Sequence, residues 1–145
     1  MPQPLLKYDG AGLYNTFPFN EEDFLNDFHL VIIRKPGVPE ISDVKDLKQN
    51  FQFLLENESV PSKYSDTNYL DYYVTQNNYI SNQLWKKKWV AKSKLVLAGH
   101  SEGSTIAAKL ATKNNKVTHL IYSVGNHNGR ILSMLEEKIH HKKTM

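Results

Sequence analysis

Lys94-Leu95-Val96-Leu97-Ala98 runs directly into Gly99-His100-Ser101-Glu102-Gly103, and that into Ser104-Thr105-Ile106-Ala107-Ala108. The first run is short, apolar and rich in branched side chains, which predicts a buried strand. From Gly103 to Lys113 the apolar residues Ile106, Ala107, Leu110 and Ala111 recur at helical spacing, so a helix follows with those residues on its inner face. A G-x-S-x-G match alone arises by chance in about one chain in twenty of this length. Strand before and helix after are what give this one meaning.

Each position of the turn has a chemical reason. A serine at the apex of a tight strand-to-helix turn has its hydroxyl lifted clear of the sheet edge, where it can act as a nucleophile. Gly99 and Gly103 are expected because a Cβ at either would collide with the neighbouring strand or helix. Ser101 lies where a helix N-terminus favours negative charge, and the backbone N–H of Glu102 is placed to donate to an oxyanion. His100 is expected to pack beside the nucleophile rather than act on it. The small side chains of Ser104, Ala107 and Ala108 let the helix approach the sheet closely.

Working outward, strand and helix alternate. Lys116 to Ser123 reads as another buried strand, and Arg130 to Ile139 as a last helix on Ile131, Leu132, Leu135 and Ile139. Upstream, His29 to Arg34 (HLVIIR) reads as a strand buried on both faces, with Pro36, Gly37 and Pro39 forcing an irregular connection after it. A helix is predicted from Ser65-Asp66, with Asp66 as N-cap, to about Lys88, and a short one from Glu21 to Phe28. Residues 7–22 show no period and read as a loop; residues 40–65 give no clear pattern. The class is α/β with a parallel sheet.

Composition narrows the function. The chain has 145 residues, no cysteine, 40% hydrophobic and 23% charged residues, and a formal net charge of +3. That is one domain's worth of sequence, without disulfide, thiolate metal cluster or cysteine nucleophile. The first residues have neither the basic nor the long apolar region of a signal peptide, no apolar run reaches the roughly 18 residues a membrane span requires, and compartment stays unread. Lys86-Lys87-Lys88-Trp89 and the Lys138–Lys143 cluster read as solvated helix ends, not as a nucleic-acid surface. No paired His or carboxylates show ligand spacing and no phosphate-binding glycine motif occurs, so neither metal nor nucleotide cofactor is expected.

Ala98-Gly99-His100-Ser101-Glu102-Gly103-Ser104-Thr105-Ile106-Ala107 resembles the nucleophile elbow of the α/β-hydrolase superfamily, and more closely that of a group of uncharacterised bacterial serine hydrolases. His119 to Ser123 with Gly125-Asn126 and Gly129-Arg130, and His29 to Pro39, extend the resemblance across most of the chain. It implies a partial three-layer α/β-hydrolase-type parallel sheet with flanking helices, a single partial domain over residues 1–145 with its core at 29–139. It implies hydrolysis of an ester, thioester or amide in a small acyl substrate or peptide, with Ser101 as nucleophile and Glu102 supplying an oxyanion-hole amide.

The same resemblance calls for an acid and a histidine on later strands. After Ser123 the chain offers His127, at a strand's C-terminal end and placed for substrate contact, then only Glu136, Glu137, His140 and His141. Glu136, Glu137, His140 and His141 lie on or beyond the last predicted helix, with no strand to return them to Ser101. His119 is expected to be a core or helix-facing residue. Tyr8, Tyr14, Phe17 and Phe19 follow the expected oxyanion-side loop, as candidates to line an acyl pocket. The strand expected between His29–Arg34 and Lys94–Ala98 is missing too. The resemblance therefore implies a hydrolase truncated at both ends and weak or inactive alone, dependent on a complementing chain. The other reading is a non-catalytic remnant or interaction module.

Overall fold

The computed structural model describes residues 1–8, 12–14 and 22–124. The chain is mixed α/β and divides into two compact units, Met1–Tyr72 and Tyr73–Met145. Among the described residues no helix is long and apolar enough to cross a membrane.

The first unit is built on a small mixed sheet. β1 (Leu5–Tyr8) pairs antiparallel with β2 (Gly12–Tyr14) and parallel with β3 (Ile41–Asp43), in the order β2-β1-β3. β2 and the end of β1 thus stand where the aperiodic residues 7–22 predict only loop: a strand ladder satisfies backbone groups whatever the side-chain pattern. α1 (Glu22–Leu25) is shorter than predicted. Between β3 and α2 (Ser62–Thr67) the chain makes two 3-10 turns, Val44–Asp46 and Gln49–Phe51, and Asn50 takes a left-handed φ of 61°. Leu6, Val38 and Tyr64 are buried in this unit. Gly37 holds the connection after Arg34 at φ 75°, with an added Cβ only 3.1 Å from the Tyr64 nitrogen.

One expectation fails here. His29 to Arg34 lies in no strand ladder among the described residues, and Leu30, Val31 and Ile32 are exposed. Branched apolar residues favour an extended backbone, but a strand also needs a neighbour to take its N–H and C=O groups, and none is described beside this run.

The long helix predicted from Ser65 is broken. α2 ends at Thr67, whose hydroxyl turns back onto the Lys63 carbonyl at 2.6 Å, and α3 (Leu70–Trp85) starts afresh. Asp66 lies inside α2 rather than at an N-cap. Tyr73 and Val74 are buried whereas Tyr69, at the break, is exposed.

The second unit contains β4 (Val96–His100), α4 (Glu102–Lys113) and β5 (His119–Ser123), close to the predicted strand–helix–strand order. β4 and β5 are parallel and in register from Val96↔His119 to His100↔Ser123. Thr118 starts the ladder: its hydroxyl accepts from the Leu95 N–H and its N–H donates to the Leu95 carbonyl. Side chains alternate, so Leu97, Gly99, Leu120 and Tyr122 share one face. α4 covers that face mainly over β4, burying Ser104, Ala107 and Leu110 and leaving Leu120 and Tyr122 exposed. Ile106 and Ala111, expected with them, are only half-buried. α3 is tied to the far end of α4: Asn114 donates to Asn78 at 2.9 Å and Lys116 to Asn82 at 2.5 Å.

Candidate active site

The turn from β4 into α4 is a single residue. Ser101 has φ 53° and ψ −119°, a conformation that L residues rarely adopt and that costs on the order of 1–3 kcal/mol. It is held there from both sides. Its N–H donates to the Ser123 carbonyl at 3.0 Å, continuing the β4–β5 ladder, and its own carbonyl accepts from the Ser104 N–H at 3.0 Å, starting the helix. A serine preceding a helix ordinarily turns its hydroxyl onto the first turn as an N-cap. Ser101 makes no such bond, and its side chain is exposed. Among the described residues the hydroxyl has no hydrogen-bond partner, so it is presented to whatever approaches the sheet edge.

The glycine expectation holds at one position and fails at the other. A Cβ on Gly99 would stand 2.3 Å from the Gly103 carbonyl oxygen and 2.7 Å from the Ser104 Cα, both backbone atoms that cannot swing away. A Cβ on Gly103 meets nothing within 4 Å among the described residues. The collision lies in the Gly99 side chain that is missing, pointing up at the helix, and Gly103 contributes its carbonyl to that contact.

Ser104 does more than its small size suggests. Its buried hydroxyl lies 2.8 Å from the Gly99 carbonyl and 2.7 Å from the Ser123 carbonyl, so one proton is shared between the two strands at the point where the helix begins. Only its place on the first turn of the helix marked it in the sequence. Val124 follows Ser123 with a φ of 52°, unusual for a β-branched residue. In register, Ser101 and Val124 are the residues next after the paired His100 and Ser123, so two strained residues stand together at the C-terminal ends of parallel strands.

His100 is exposed, and its Nδ1 faces the Ser123 hydroxyl at 3.2 Å on the sheet face opposite Gly99, not Ser101. Glu102 is exposed on the first turn of α4, with its N–H at the positive end of the helix. His119, expected to be covered, is exposed at the start of β5, its Nδ1 2.9 Å from the Thr118 hydroxyl. Of the aromatic residues considered for an acyl pocket, Tyr8 belongs to the first unit. Phe17, Phe19, His127, Glu136, Glu137, His140 and His141 lie outside the described residues, as does the side chain of Tyr14. Among the described residues no three His, Cys, Asp or Glu gather as metal ligands.

No family model, curated protein or solved structure matches the chain.

Proposed function

We propose that Ser101 is the nucleophile of a serine acyl hydrolase acting on an ester, thioester or amide, and that β4, α4 and β5 form the nucleophile-bearing centre of an α/β-hydrolase-type three-layer sheet. The observation that carries this reading is the Ser101 backbone at φ 53° and ψ −119°, with its hydroxyl diverted from helix capping. Strain at a residue whose polar group has no structural use is what a positioned nucleophile requires. In the reaction the Ser101 Oγ attacks the carbonyl carbon, the Glu102 amide donates to the oxyanion, and the leaving alcohol, thiol or amine departs before water releases the acid. The Oγ proton must pass to an imidazole. His100 faces Ser123 instead, so in this reading the base and its orienting acid come from outside the described residues.

A second reading, a non-catalytic module that keeps the elbow, is favoured by the described imidazoles of His100 and His119 facing Ser123 and Thr118 and not Ser101. A fluorophosphonate probe separates the two. Adduct on Ser101, absent in Ser101→Ala, supports the hydrolase. A folded sample that stays unlabelled overturns it for this chain acting alone and favours the module.

A further inference from the structure

The charges of the chain are segregated. Residues 1–72 carry twelve carboxylates against six Lys and Arg, whereas residues 73–124 carry eight lysines and one carboxylate, Glu102. In the second unit the topology gathers these lysines. β4 and β5 begin where α4 ends, and the Lys116–Asn82 and Asn114–Asn78 bonds bring the last turns of α3 to the same pole. Lys86, Lys87, Lys88, Lys94, Lys113 and Lys116 therefore lie at the strand N-terminal pole, with Ser101 and Glu102 a five-residue strand away at the other.

Lysines at helix C-termini ordinarily complement the macrodipole, and one at each end does so here. Lys113 lies in the last turn of α4. For α3 it is Lys92, whose ammonium donates to the Trp85 carbonyl and, at 2.9 Å, to the Lys87 carbonyl, 5.5 Å from the Trp85 ring centre. Lys86, Lys87 and Lys88 are exposed beyond that arrangement. The Val90 N–H closes onto the Lys87 carbonyl at 3.3 Å, making a turn with Lys88 and Trp89 at its corners. Trp89 is 55% exposed at this corner, amid like charges.

We propose that this turn is a docking site for an anionic lipid surface, with the Trp89 indole entering the headgroup region and Lys86, Lys87 and Lys88 lying against acidic headgroups. An exposed indole flanked by a dense run of exposed lysines has the chemistry such a surface selects. Single-stranded nucleic acid fits less well, because it stacks on several aromatic residues along a groove, and here one indole stands on a turn.

The full chain is mixed with phosphatidylcholine vesicles and with vesicles also containing phosphatidylglycerol, and cosedimentation and tryptophan emission are recorded. The expected result is binding to the anionic vesicles alone, weakened by salt, with a blue shift in emission that Trp89→Phe abolishes. Lys87→Gln with Lys88→Gln lowers partition by about fivefold per lysine. These side chains are exposed, and circular dichroism matching that of the parent chain establishes that the variants fold. Equal binding to both vesicle types, no binding, or indifference to the lysine substitutions overturns the proposal. So does tighter binding to single-stranded DNA, or a lysine-dependent self-association showing that the pole is an interface between copies.

Discussion

Two apolar runs in this chain look alike and end differently. Leu95 to Ala98 leads into a paired strand with a helix over one face, while Leu30 to Ile33 stays outside every described ladder with three of its side chains exposed. The second is, if anything, the better strand former by composition. The difference lies in what each finds next to it. β4 has β5 brought alongside by a twelve-residue helix, and the pairing is sealed at both ends, by Thr118 at one and by the Ser101–Ser123 bond at the other. Apolar pattern states that a segment is to be buried; a neighbour with open hydrogen bonds decides whether it becomes a strand.

The largest expected effect is at Gly99. Gly99→Ala places a methyl group 2.3 Å from a helix carbonyl, so the helix must lift from β4 or the ladder must break. A loss of about 3 kcal/mol or more in chemical denaturation is expected. Gly103→Ala is the matched control. With nothing else among the described residues within 4 Å of its Cβ beyond its own helix backbone, it is expected to stabilise by up to about 1 kcal/mol through helix propensity. Equal losses at the two glycines would show that the turn is not held by the contact described, and the contrast with residues 29–34 would lose its basis.

Next in size is Ser104→Ala. Its hydroxyl serves the Gly99 and Ser123 carbonyls from a fully buried position, so removal takes a donor from both strands where they meet the helix. About 2 kcal/mol of stability should be lost. Hydrogen exchange should also quicken at the Ser101 amide, whose acceptor is the same Ser123 carbonyl. A loss of stability without faster exchange there would mean that Ser104 supports packing alone and does not hold the elbow.

The legible part of this molecule was the part whose order is local. Gly99 to Gly103, with an apolar strand before and a small-residue helix after, identified the turn and the residue at its apex, because tight turns and close helix approach leave steric marks in composition. The break at Asn68-Tyr69 left no such mark: Tyr69, Leu70, Tyr73 and Val74 keep helical spacing straight through it, while the backbone leaves the helix at Asn68 with ψ 60°. β1 and β3 were equally silent, since a three-residue parallel pairing across more than thirty residues is too short for a side-chain period to show. Gly103 shows the opposite error, a motif glycine credited with a clash that belongs to Gly99.

The smallest effect falls on the run outside the described ladders and sharpens the comparison most. Val31 and Ile32 are each 48% exposed, so replacing both by threonine removes little buried area. The threonines keep the β-branched preference for extended backbone, and the change in stability should stay within about 0.5 kcal/mol per site. Solubility should rise, because an exposed apolar segment with strand propensity is a template for association between chains. If a complementing chain pairs with this run, the result changes: Val31→Thr with Ile32→Thr should then weaken that complex while leaving the isolated chain as stable as before. A large loss of stability in the isolated chain would instead place residues 29–34 in a buried ladder, and the two apolar runs would no longer differ.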